Sequence, residues 1–169
     1  MIETDRLKIF PLTYEQVVKY RDCKNELEKE LALNESKCEL PDYLKMMIGK
    51  KILSNLSGKK ENFIYSTIWI IIDKIENIIV ADFGIKGDPK EDGEIELGYG
   101  THSIFQNKGY MTEAINGFLK WASEKDEVKL IFVETDKVNV ASIKVVEKNN
   151  FEKVKETDNS LWWKYSCDL

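Results

Sequence analysis

The sequence predicts a single mixed α/β domain, and three observations carry that prediction. Its 169 residues amount to about one domain, with no internal repeat, low-complexity run or linker to divide them. Between Phe63 and Thr101 β-branched and aromatic residues alternate with turn clusters, which reads as an antiparallel meander. After Gly109 the apolar period becomes 3.6, and strand–helix–strand–helix–strand follows, an order that implies a partly parallel sheet with packed helices. About six or seven strands are expected.

The elements follow in chain order. Arg6–Leu12 alternates apolar at Leu7 and Ile9 and reads as a first strand that Pro11 ends or places at an edge. Thr13 and Gln16 are spaced as a capping box, which starts a helix through about Asp22. A second helix is expected over about Glu26 to Leu33. Pro41-Asp42 opens a third, with Leu44, Met47, Ile48, Ile52 and Leu56 on one face, Gly49 inside it and Gly58 as its stop. Phe63–Asp73 and Ile78–Lys86 form a hairpin around Lys74–Asn77, and Glu94–Thr101 is a further strand after the polar turn 87–93. Met111, Ala114, Ile115, Phe118, Leu119 and Ala122 make one helical stripe. Val128–Glu134 is a buried-type strand, Asn139–Asn149 a helix, and Phe151–Lys155 with Leu161–Ser166 a closing hairpin.

Composition excludes several classes. Apolar residues at 43% and charged residues at 33% exclude a disordered or collagen-like chain. The run Ile68–Ile72 is far short of the ~20 residues of a membrane span, and the N-terminus shows no basic and apolar leader, so a soluble cytoplasmic protein is the expectation. Net charge is −5, uneven along the chain: residues 1–60 sum to +2 and 61–169 to −7. An acidic half disfavours nucleic acid and mildly favours a cationic partner, though solubility alone accounts for it as well. Cys23, Cys38 and Cys167 are odd in number without a Cys-x-x-Cys pair, and His102 is the only histidine; neither a disulfide framework nor a metal site is expected.

The chemistry concentrates where the strand Glu94–Thr101 runs through a short loop into the helix after Gly109. The first amides of a helix lack intrahelical partners and, with the positive end of the dipole, suit a phosphate. Gly109 allows a close backbone approach, and Lys108 adds positive charge. A single glycine before a helix is by itself more simply explained as a plain strand–helix turn.

The whole segment Gln106-Asn107-Lys108-Gly109-Tyr110-Met111, followed by Thr112-Glu113-Ala114, resembles the pyrophosphate loop Gln/Arg-x-x-Gly-x-Gly/Ala of the GCN5-related N-acetyltransferase (GNAT) superfamily. Met111 stands where the pattern has Gly or Ala, a departure expected to crowd the loop. Thr4-Asp5-Arg6-Leu7 with Pro11-Leu12 resembles the opening of the branch containing ribosomal-protein N-terminal acetyltransferases. Asn139-Val140-Ala141-Ser142 through Glu147-Lys148-Asn149-Asn150-Phe151 resembles the family's late segment, with Asn150 in place of Gly. Asparagine is the next best residue where a positive φ is needed.

The resemblance implies a mixed sheet splayed at its middle and acetyl-CoA as co-substrate, with no metal. It implies that the backbone of Thr101 and Ser103 pairs with the pantetheine arm and that Gln106, Asn107, Lys108, Gly109, Tyr110 and Met111 cradle the diphosphate. Asn139 matches a residue near the cofactor, and it also suits the N-cap of its helix. Glu96 matches the acidic residue of the family's Glu-Ile/Leu-Gly-Tyr sequence and is the candidate base; Glu94 shares its strand face. The alternative is that both are solvated carboxylates. Strand amides would polarise the thioester carbonyl. Many members carry a Tyr where this chain has Val146. Ser142 matches a hydroxyl used near the sulfur and would hydrogen-bond there, or back-bond to a carbonyl. His102 is expected at the surface of the strand exit.

Trp69, Trp121, Trp162, Trp163, Tyr65 and Tyr99 are spaced as core residues, with one or two of Tyr65, Trp69 and Tyr99 as candidates to line an acceptor groove. Lys50-Lys51 and Lys59-Lys60 read as a solvated helix face. The acceptor would be a primary amine, on a protein N-terminus or a small molecule, and the protein a monomer or homodimer without nucleic-acid or membrane partners. The competing reading is a CoA-binding sensor or docking module without turnover. A dinucleotide-binding unit lacks its Gly-x-Gly-x-x-Gly.

Overall fold

The computed structural model describes residues 1–36, 40–57 and 63–167. Cys38, Gly58 and Lys59-Lys60 lie outside the described residues. Eight strands form one sheet in the order β1-β2-β3-β4-β5-β6-β8-β7: β1 Ile2–Glu3, β2 Leu7–Pro11, β3 Ile68–Asp73, β4 Ile78–Ile85, β5 Glu94–Thr101, β6 Leu130–Asp136, β7 Glu152–Glu156 and β8 Ser160–Ser166. All neighbours are antiparallel except β5 and β6. The mixed sheet is the expected one with a strand more than foreseen, because β1 is only two residues long and has no alternation to read.

Helix α1, Tyr14–Asp22, starts at Thr13 with both capping-box hydrogen bonds made. Helix α2 spans Glu26–Glu30 and stops short of Leu33, since Ala32 takes a left-handed φ of 53°. The third helical stretch is three pieces: α3 Asp42–Met47, a π-helical turn Ile48–Ile52 and α4 Leu53–Leu56. A π turn carries an extra residue, so the inward face shifts: Ile48, Leu53 and Leu56 are buried, while Met47 is exposed. Lys50 and Lys51 are solvated. Helices α5, Tyr110–Ser123, and α6, Val140–Lys148, complete the fold.

The sheet divides two apolar layers. On one face Leu12, Val17, Tyr20, Leu27, Ile48, Leu53 and Leu56 meet Ile68, Ile70, Ile72 and Ile79, so α1–α4 cover that side. On the other, the stripe of α5 and Val146 of α6 meet Trp69, Ile71, Phe83, Ile95, Leu97, Ile131, Val133 and Trp163. Trp69 stacks on Phe83 with centroids 5.5 Å apart, and Phe118 meets Phe83 edge-on at 5.0 Å. Fully burying a side chain of this size is worth about 1.5–3 kcal/mol, so this layer fixes α5 against β3–β6. Tyr65 and Trp69 are buried there, and the Tyr65 hydroxyl donates to Glu127 at 2.8 Å.

Candidate active site

Pairing between β5 and β6 ends early. Glu94, Ile95, Glu96 and Leu97 pair with Leu130, Ile131, Phe132 and Val133; beyond them β5 stays with β4 and β6 stays with β8. The sheet therefore parts between Gly98–Thr101 and Glu134–Asp136. Main-chain direction in the gap follows from the antiparallel β4–β5 ladder. Lys86 N–H donates to Glu96 O at 2.9 Å and His102 N–H to Val80 O at 3.1 Å, so even-numbered residues of β5 turn their amides to β4. Tyr99 and Thr101 turn theirs into the gap.

The same alternation sorts the side chains. Tyr99 pairs with Phe83 and points to the α5–α6 face; Glu96, Gly98 and Gly100 point to the α1–α4 face. Glu96 is ion-paired with Lys86, the residue opposite it just beyond the end of β4. Glu94, two residues before, is paired with Lys90 at 2.8 Å. Both candidate carboxylates thus carry a lysine partner, a feature of cross-strand and turn register invisible in the linear sequence.

Across the gap, Asn139 caps α6: its Oδ1 accepts the Ser142 amide at 3.0 Å. Ser142 Oγ donates to the Tyr99 hydroxyl at 3.0 Å, and that hydroxyl donates to the Ser142 carbonyl at 3.1 Å. Burial pushes the Tyr99 phenol up to about 12, although Ser142 pulls it slightly down, so Tyr99 stays protonated at neutral pH. Sequence reading gave Ser142 without its partner; a Tyr three residues after Glu96 was the available signal. Val146, at the position where many members of the family have Tyr, is fully buried in the core and offers no hydroxyl.

Beyond Thr101 a single 3₁₀ turn, Ser103–Phe105, leads to the loop 106–109. Gln106 Nε2 donates to Thr101 O at 3.4 Å, and Asn107 and Gly109 both take positive φ, 62° and 77°. Gly109 is the N-cap of α5 and makes no side-chain cap bond, so the first amides of a 14-residue helix face outward at the end of β5. Met111 is buried in the core. Its side chain packs among the core residues of α5 rather than standing exposed on the loop. Tyr110 also turns inward, donating to Asp73 Oδ2 at 2.7 Å. The loop exposes main chain together with Gln106, Asn107 and Lys108, and Lys108 is its one cation, which suits a diphosphate. Asn150 has φ 60°, as its replacement of glycine requires.

His102 differs from expectation. Its side chain is 9% exposed, Nε2 lies 2.9 Å from the Tyr20 hydroxyl and 3.6 Å from Asp82 Oδ2, and the Tyr20 ring stacks over it. Tyr20 of α1 folds over the strand exit and covers it; that contact joins residues 82 apart, beyond the reach of local pattern. Among the described residues, no group of three or more His, Cys, Asp or Glu is placed to hold a metal ion, and no helix is long and apolar enough to cross a membrane.

Comparison with known proteins agrees with this geometry. The family model for the acetyltransferase (GNAT) domain matches residues 14–152. An uncharacterized N-acetyltransferase of Bacillus subtilis, YjdG, is 37% identical over 83 residues; the match spans about half the length of that curated relative and 49% of this chain. Among solved structures, a GNAT-family acetyltransferase from Bacillus anthracis superposes with a TM-score of 0.68 at 15% identity over 99% of both chains. A ribosomal-protein-S5-alanine acetyltransferase from Vibrio fischeri gives 0.68 at 19% identity over 98% of this chain and 96% of its own. A ribosomal L7/L12 α-N-protein acetyltransferase in complex with coenzyme A gives 0.67 at 12% identity over 96% and 95%. With its parted sheet, uncapped helix and matching family model, this chain belongs to the GNAT acetyltransferase family.

Proposed function

We propose that the protein transfers the acetyl group of acetyl-CoA to a primary amine by direct attack on the thioester. The observation that carries this is the arrangement around the gap: outward helix amides at the end of β5, strand amides inside the gap, a carboxylate on one face and a hydroxyl pair on the other. Asn107 and Gly109 shape the loop between Gln106 and the amides of Tyr110 and Met111 for the diphosphate, and Lys108 adds its charge. Thr101 and Ser103 would hold the pantetheine arm as an added strand, with Asn139 at its flank.

The Tyr99 amide points at the oxygen that gains negative charge as the amine adds, where a positioned donor is most effective. An ammonium, with a pKa near ~10.4 on a side chain or ~8 at an N-terminus, must lose a proton before it can attack. Glu96 takes that proton on the α1–α4 face, releasing Lys86 from its ion pair. The N–C bond forms, the C–S bond breaks, and the second amine proton passes to the leaving sulfur, which departs as the thiol of CoA while Ser142 or Tyr99 hydrogen-bonds it on the opposite face. A cationic acceptor fits the −7 sum of residues 61–169. Two of the fold relatives are named for acting on ribosomal proteins, which supports a protein N-terminus as one acceptor class beside small amines.

The test is thiol release from acetyl-CoA with a panel of amines, run beside calorimetric titration of CoA. CoA binding with turnover on at least one amine is expected. No heat with CoA overturns the reading, whereas binding without turnover on any amine selects the sensor module.

A further inference from the structure

The N-terminal segment before β2 reaches the cofactor loop from behind, and the transfer chemistry above leaves it unused. Thr4 Oγ1 donates to Glu113 Oε1 at 2.6 Å, and Arg6 N–H donates to the same oxygen at 2.9 Å. Arg6 Nε donates to Glu113 Oε2 at 2.6 Å, while Nη1 of the same guanidinium donates to the Lys108 carbonyl at 3.1 Å. Its carbon lies 5.0 Å over the Tyr110 ring, and Tyr110 is anchored through Asp73. Gly117 makes the approach possible: a Cβ there would come within 2.7 Å of Thr4 Cγ2. A Cβ on Gly109 would lie 3.5 Å from Arg6 Nη2, so the guanidinium stands directly behind the helix start.

The peptide joining Lys108 to Gly109 is planar and trans, and in such a peptide C=O and N–H point in opposite directions. Holding the carbonyl behind the loop therefore turns the Gly109 amide forward. An unheld carbonyl at this glycine hinge would be free to rotate its lone pairs toward an incoming anion. We propose that Arg6 is a positioning residue for the diphosphate: by gripping Glu113 and the Lys108 carbonyl at once, it aims the Gly109 N–H at the anion. This rests on the reading of residues 106–111 as the diphosphate cradle. Arginine suits the task because its fork serves two acceptors in fixed geometry, which a lysine ammonium on a flexible stem does not.

The experiment compares wild type, R6Q and R6K by calorimetry with CoA, and by kcat/KM with acetyl-CoA and with S-acetyl-pantetheine, which has no diphosphate. R6Q is expected to weaken CoA about tenfold and to lower kcat/KM for acetyl-CoA to match, with less than a twofold change for S-acetyl-pantetheine. R6K keeps the charge and is expected to lose about threefold to fivefold; it carries the test should R6Q fail to fold. Equal losses with both thioesters overturn the proposal, since they show general loosening of the fold. So does unchanged CoA affinity in R6Q and R6K. Wild type without CoA binding instead overturns the cradle reading itself.

Discussion

At its far end β5 runs into a loop that presents main-chain amides, whereas in its middle it parts from β6 among side chains supplied by β5, α6 and the residue that follows β4. The loop takes positive φ at two backbone positions, Asn107 and Gly109, and Met111 turns inward behind them. The transfer centre depends instead on who sits opposite whom: Lys86 beside Glu96, Ser142 beside Tyr99. Backbone recognition is fixed by a few local conformations, and side-chain chemistry by register between distant segments.

Substitutions should separate the two. The largest effect is expected for E96Q, which removes the proposed proton acceptor: kcat falls by about 10²–10⁴ with CoA affinity unchanged in calorimetry. An unchanged rate takes Glu96 out of the mechanism. G109V should do the converse, weakening CoA by about 10–100-fold, because a β-branched residue is strained at φ 77° by about 1–3 kcal/mol. For S142A, steady-state rates should fall only about twofold to fivefold, since Tyr99 keeps its hydroxyl on the Ser142 carbonyl.

The smallest effect is on stability against acid. Burial alone would raise the Glu113 carboxyl, but hydrogen bonds from Thr4 and Arg6 and the guanidinium charge outweigh it and hold it below the usual range. Hydrogen bonds from Glu76, Tyr110 and Ile75 do the same for Asp73 against its own burial. A carboxyl lowered on folding stabilises above its unfolded pKa, near ~4.3 for Glu, and the benefit disappears as pH falls through the folded value. Urea titrations of wild type and E113Q should therefore differ by about 1 kcal/mol at pH 7 and converge as pH falls below the ordinary carboxylate range. A gap of constant size across the whole titration assigns the difference to packing.

Much of this layout was legible in the chain. Glu94–Thr101, Gly109 and the stripe from Met111 to Ala122 declare strand, hinge and helix through period and glycine alone, and β5 has the expected bounds. The capping box at Thr13 and the left-handed Asn150 were equally local. The burial of His102 beneath Tyr20, the lysine on Glu96 and the hydroxyl pair at Ser142 arise from contacts between residues 10 to 82 apart. The π turn at Gly49 escaped because the apolar spacing there reads as an ordinary helix.

The parting of β5 and β6 leaves a slot one strand wide in the middle of the molecule. A thioester arm lying in it would act as a ninth, removable strand, so nucleotide supply would set rigidity as well as turnover. Any ligand that favours the native state adds RT ln(1 + [L]/Kd), about 2.7 kcal/mol at a hundredfold excess over Kd. On this account the protein mixed with a saturating thioester should melt later, and be cut more slowly by protease, than the empty protein.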